Sequence, residues 1–100
     1  MSKKLPAIHP GEILLEEFMK PIGLSSTALA NSLGVTPARI NEIVRGKRGI
    51  SADTALRLAR FFGTDAQSWL NWQAHYDLQV AQQTLESKIK RDVQPMKEAA

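Results

Sequence analysis

The sequence predicts an all-α fold of five helices. Three observations carry that expectation. Apolar residues recur at helical spacing, with no strand-like alternation and no internal repeat. Serine or threonine stands just before several of these runs, where a hydroxyl can cap the first turn. Glycine stands just after them, at Gly23, Gly34, Gly46 and Gly63, where a chain leaving a helix commonly turns left-handed.

The first helix is expected to start at His9-Pro10-Gly11 and to run to about Lys20, with Ile13, Leu14 and Phe18 facing inward and Pro21 and Gly23 ending it. Glu12 near its start suits the helix dipole. The second opens at Ser25 or Ser26, turns Leu29, Ala30 and Leu33 inward and stops at Gly34. The third opens with Thr36-Pro37, an N-cap followed by a first-turn proline, and buries Ile40, Ile43 and Val44 before Gly46. The fourth starts at Ser51 and spaces Ala55, Leu58, Ala59 and Phe62 for the core. The fifth starts near Thr64 or Asp65 and extends to about Lys90. It carries two apolar stripes, one of Trp69, Trp72, Tyr76 and Val80, the other of Leu78, Ala81, Leu85 and Ile89.

Helices two and three form a helix-turn-helix. A close crossing of two helices admits only a small side chain, and Ala30 supplies it. The turn needs a residue that tolerates positive φ, and Gly34 follows four residues later. Val35 plugs the turn and Ile40 anchors the third helix. The outward face of that helix then offers Thr36, Ala38, Arg39, Asn41, Glu42 and Arg45 to the major groove of duplex DNA. Arg39 can take guanine O6 and N7, and Asn41 can take adenine N6 and N7. Ala38 or the Thr36 methyl can touch a thymine methyl. Glu42 can accept from cytosine N4 or pair with Arg39 or Arg45. Ser25 and Ser26 at a helix N-terminus, with Lys47 and Arg48 in the following loop, are candidate phosphate contacts.

Composition agrees. The net charge of +3 is mild, but Arg39, Arg45, Lys47, Arg48, Arg57 and Arg60 are concentrated mid-chain, while Glu12, Glu16 and Glu17 sit together near the N-terminus. The chain has no cysteine, which excludes disulfides and thiolate zinc sites and fits a cytoplasmic protein. No segment is apolar enough to span a bilayer. His9 and His75, the only histidines, form no metal-ligand pair, so no cofactor or metal is expected. Glu16 and Glu17 point different ways on a helix, so they make no acid/base pair, and catalysis is not expected.

The stretches HPGEILLEEFMKPIGLS, LANSLGVTPARINEIVRGKRGIS and DTALRLARFFGTDAQSWLNWQAHYDL resemble the HigA-type (VapI-like) antitoxins, a branch of the XRE helix-turn-helix proteins. They cover His9 to about Leu78; within WLNWQ, Trp72 replaces the more usual leucine. The resemblance implies a lambda-repressor-like domain that dimerises, binds a palindromic operator and represses its own operon. It also implies a small HigB-type (RelE-like) ribonuclease toxin as partner. Carried over by motif position, the DNA-reading residues run from Ser25 and Ser26 through Thr36, Pro37, Ala38, Arg39, Asn41 and Glu42 to Lys47.

Helix five is the expected dimerisation element, because its two stripes exceed what one small core needs. Trp72, Tyr76, Leu78 and Leu85 are its expected contacts; Trp72 and Tyr76 can also belong to the core. Residues 1–8 are read as an N-terminal arm, 9–90 as the DNA-binding domain with its dimerisation helix, and 91–100 as a flexible tail. A stand-alone repressor without a toxin remains the alternative.

Overall fold

A computed structural model describes residues 6–97; the outer parts of the expected arm and tail, residues 1–5 and 98–100, lie outside the described residues. Five α-helices follow one another: α1 (Pro10–Ile13), α2 (Ser26–Leu33), α3 (Pro37–Val44), α4 (Ala52–Phe62) and α5 (Ala66–Asp92). Four of them begin on a side-chain oxygen that accepts a backbone N–H of the first turn. Ser25 accepts from Ala28, Thr36 from Arg39, Ser51 from Thr54 and Asp65 from Ser68. Each such cap stabilises its helix by about 1 kcal/mol. α2 and α4 end on glycines with φ of 72° and 71°, values an L side chain rarely adopts.

The first helix departs from the regular α-helix expected up to Lys20. After Ile13 the chain widens into a π-helix, Leu14–Met19, and then tightens into a 3₁₀ turn, Lys20–Ile22. Pro21 explains the break, because it has no N–H and its ring crowds the carbonyl four residues earlier. The Lys20 N–H reaches back five residues to the Leu15 carbonyl instead. The residues most deeply buried here are therefore Leu14 and Met19, five apart, rather than Ile13 and Phe18, which are half-buried.

The core gathers Leu29, Ala30 and Leu33 from α2, Ile40 and Ile43 from α3, Ala55 and Leu58 from α4, and Trp69 from α5. Ala30 is fully buried, as a close crossing of α2 and α3 requires. The Trp69 indole N–H donates to Thr64 Oγ1 at 2.9 Å, so its polar end is satisfied inside. Phe18 packs on Phe62 and on Trp69, with ring centroids 5.0 Å apart in both cases.

His9, Pro10 and Gly11 seat the N-terminal segment against the rest. Pro10 and Gly11 are buried. A Cβ at Gly11 would lie 1.7 Å from the Ile43 carbonyl oxygen, so only glycine lets α1 come this close to α3. His9 Nδ1 accepts the Gly11 N–H at 2.8 Å, and the ring stands edge-on to Tyr76, 4.8 Å between centroids.

Partial burial pushes the His9 imidazole below its ordinary pKa, with the Asp77 charge pulling the other way. The cap also needs the neutral ring, since Nδ1 must accept. A group whose pKa falls on folding adds stability above its unfolded value and loses it as the medium acidifies. Stability should therefore fall as pH drops below about 6.5. His9→Asn, which keeps an acceptor but does not titrate, should lose less. Urea unfolding of both proteins at about pH 7.5 and about pH 5.5, on either side of that value, measures the difference.

α5 extends well past the core. The described residues span 54 × 30 × 20 Å, and a helix of this length accounts for about 40 Å of the long dimension. From Thr84 onward every described residue is exposed. The helix continues to Asp92, two residues into the expected tail, before the chain becomes extended at Val93.

Candidate nucleic-acid interface

The turn between α2 and α3 sets the site. Gly34 turns left-handed, and the Val35 N–H returns to the Ala30 carbonyl at 3.0 Å. α3 is then held from beneath by Ile40 and Ile43, both fully buried. That anchoring fixes which side chains face out. Thr36, Pro37, Ala38, Asn41 and Arg45 are exposed, while Arg39 and Glu42 are half-exposed. Thr36 Oγ1 caps the helix by accepting the Arg39 N–H at 3.2 Å. Ser25 plays the same part for α2, its Oγ accepting the Ala28 N–H at 3.1 Å, with Ser26 opening the helix.

The loop after α3 curls back on the helix. Gly46 has φ of 75°, and the Lys47 N–H donates to the Glu42 carbonyl at 2.8 Å. Lys47 and Arg48 are thereby kept beside the end of α3, both exposed. Glu42 does pair with an arginine, but with neither of the two expected partners. Its Oε1 accepts from Arg48 Nε at 2.7 Å, because the curled loop brings Arg48 closer than Arg39 or Arg45.

Arg39 is paired as well. Its Nη1 donates to Asp53 Oδ2 at 2.9 Å, and the same oxygen accepts from Arg57 Nε at 2.9 Å. These hydrogen bonds, from Arg57 first and Arg39 second, hold the Asp53 carboxyl below the usual carboxylate range. A hollow of about 420 Å³ is lined by Arg39, Arg48, Asp53, Thr54 and Arg57 with Gly49 and Ser51, so three cations meet beside α3. Asp53 and Arg57 were not among the expected site residues. Their four-residue spacing was visible as a helical ion pair, but nothing in the sequence tied them to Arg39, which is 14 residues away from Asp53.

The expected dimer contacts divide. Trp72 packs partly against the core and stands edge-on to Trp69, ring centroids 5.0 Å apart. Tyr76 meets His9. Both rings are half-buried, Trp72 against Trp69 and the core and Tyr76 against His9 of the N-terminal segment, contacts that spacing along one helix cannot reveal. Leu78 and Leu85 are open instead, 59% and 46% exposed, with Ile89 at 50%. Among the described residues no helix is long and apolar enough to cross a membrane, and no cluster of His, Cys, Asp or Glu could hold a metal ion.

Comparison with known proteins places this geometry. A helix-turn-helix family profile matches residues 15–69. The chain is 67% identical to virulence-associated protein I of Dichelobacter nodosus over 84 residues, 84% of this chain and 78% of that protein. It is similar to the Pseudomonas aeruginosa antitoxin HigA, solved with the higBA promoter, with a TM-score of 0.88, 45% identity and coverage of 91% and 99% of the two chains. It is equally similar to the antitoxin GraA solved in complex with its operator, with a TM-score of 0.87, 44% identity and coverage of 96% and 97%.

Proposed function

The chain belongs to the helix-turn-helix (XRE) family of virulence-associated protein I and the HigA and GraA antitoxins, and on that footing we propose that it is an operator-binding autorepressor and the antitoxin of a small RelE-like ribonuclease. It is a DNA-binding regulator and not an enzyme. The observation that carries the reading is the outward face of α3. It is exposed, polar and free of large apolar side chains, and it is flanked by Arg45, Lys47 and Arg48.

On this reading α3 enters the major groove. Arg39 takes guanine O6 and N7, Asn41 takes adenine N6 and N7, and Ala38 with the Thr36 methyl meets thymine methyl groups. Pro37, which has no N–H, contributes shape alone. The first N–H groups of α2, at Ser25 and Ser26, meet a phosphate. Arg45, Lys47 and Arg48 follow the backbone, and Glu42 holds Arg48 in place for it.

Two copies then set two α3 helices one DNA turn apart, roughly 34–36 Å, on a palindromic operator. The exposure of Leu78 and Leu85 supports pairing through α5, with the outer edges of Trp72 and Tyr76 at the margin. The protein works in the cytoplasm, on the operon that encodes it, with residues 9–90 as the working domain.

Titration of two variants against the operator, its single-base variants and random DNA tests the DNA face. Arg39→Ala should cost about 1–3 kcal/mol on the operator and relax preference at one base pair. Lys47→Ala should weaken binding to all sequences alike and flatten the log-affinity against log-salt slope by about 1. An equal loss on operator and random DNA in the first case, or an unchanged slope in the second, would refute the assignment. The toxin has a genetic test. An adjacent small reading frame should be toxic alone and harmless beside this protein; a frame harmless alone would leave an autonomous repressor.

A further inference from the structure

We propose that Asp53 is a specificity-determining positioning residue, which holds the Arg39 guanidinium in its base-reading orientation before DNA arrives. The inference rests on the reading of α3 given above, with Arg39 as a base reader. Asp53 lies in the first turn of α4, outside the helix-turn-helix, and its carboxylate reaches across to α3.

The carboxylate is itself fixed from behind. Arg57 Nε donates to the same Oδ2 that Arg39 uses, and Arg57 Nη1 donates to the Leu33 carbonyl at 2.8 Å. That carbonyl is the last of α2, next to the Gly34 turn. A continuous chain of hydrogen bonds therefore runs from the end of α2 through Arg57 and Asp53 to the tip of Arg39. At its other end Arg39 is fixed by the Thr36 cap on its own N–H. Arg39 is thus held at its main chain and at its guanidinium.

The chemistry of the held group suits base reading. Asp53 engages Nη1 alone, and among the described residues Nε and Nη2 have no partner. Those two nitrogens form one edge of the guanidinium, a two-donor fork that matches guanine O6 and N7. An unheld arginine must be ordered on binding, at a cost in side-chain freedom; a held one has already met much of it. The negative charge beside Arg39 acts from the other direction too. It weakens the attraction of this corner for any phosphate, which is the sequence-independent part of binding. The carboxyl stays ionised at ordinary pH, since both arginines hold its pKa low.

Wild type, Arg39→Ala, Asp53→Ala and the double variant, titrated on operator, single-base variants and random DNA, test the proposal. Asp53→Ala should lower preference about tenfold at the base pair that Arg39→Ala relaxes and leave other positions alone. It should bind random DNA as well as wild type or a few-fold better. In the Arg39→Ala background it should change that preference no further. Ser51, not Asp53, caps α4, and melting curves check the fold; Asp53→Leu, of similar size and without an acceptor, carries the same test if the alanine variant fails to fold. A wild-type preference at that base pair, or equal losses on operator and random DNA, would overturn the positioning role while Arg39 as a base reader survives. If Arg39→Ala relaxes no base pair, the reading of α3 falls, and the role of Asp53 with it.

Discussion

One methyl group added at Gly11 should lower the melting temperature by roughly 12–24 °C, the shift about 3 kcal/mol produces in a domain of this size. The added Cβ would stand 1.7 Å from the Ile43 carbonyl oxygen and 2.6 Å from its carbon. Those are backbone atoms of the third helix, so no rotamer change can clear them. Overpacking of this kind costs about 1–3 kcal/mol and sometimes more, and the rigidity of both partners puts Gly11→Ala at the upper end. The N-terminal segment must lift away, which also breaks the His9 cap and separates His9 from Tyr76. Gly23→Ala is the control. Gly23 has φ of 65° but open space around it, so that variant carries backbone strain alone, on the order of 1–2 kcal/mol. Calorimetric scans of the two variants separate steric exclusion from conformational preference. A Gly11→Ala shift no larger than that of Gly23→Ala would show that the seat adapts.

On the proposed pairing through α5, Leu78→Gln combined with Leu85→Gln should convert the dimer into a folded monomer and weaken operator binding by about 10²- to 10³-fold, the range lost when two linked binding events become one. Both leucines are exposed on α5, at 59% and 46%, so their replacement should scarcely alter monomer stability. Glutamine favours helix and adds no charge, which keeps the phosphate contacts out of the comparison. Sedimentation at tens of micromolar, the concentration scale of a weak interface, should show half the wild-type mass, with the thermal transition unchanged. A variant that still sediments with wild type, or a wild-type chain that is itself monomeric, would remove α5 as the pairing element.

What was legible in the sequence is what local chemistry determines. Ser25, Thr36 and Ser51 cap as expected, because a hydroxyl three residues ahead of an N–H needs no distant partner. The helix-turn-helix was equally readable, since Ala30, Gly34 and Ile40 meet their requirements within one short segment. Contacts between remote segments were not. Nothing near Asp53 announces Arg39 as its partner. For Glu42 the sequence offers cytosine N4 or an arginine of its own helix, yet it pairs with a loop arginine once Gly46 turns the chain back. Spacing along α5 leaves Trp72 and Tyr76 open to an interface or to the core until His9 and Trp69 are placed beside them. Gly11 belongs to the same class: its lack of a side chain has meaning only with Ile43 in view.

The π-helix at Leu14–Met19 also governs how this protein should be aligned with others. A turn of π-helix is an α-helix holding one residue more than its hydrogen-bond ladder requires. Gly11 and Leu14 therefore belong to one helical wheel and Met19 to another, rotated from the first by the extra residue. Against a regular α-helix, a gapless comparison through this point pairs core positions on one side of it with surface ones. A single-residue gap placed between positions 14 and 19 is the physically sensible one, because a chain lacking that residue returns to an ordinary α-helix and keeps both halves of the buried face.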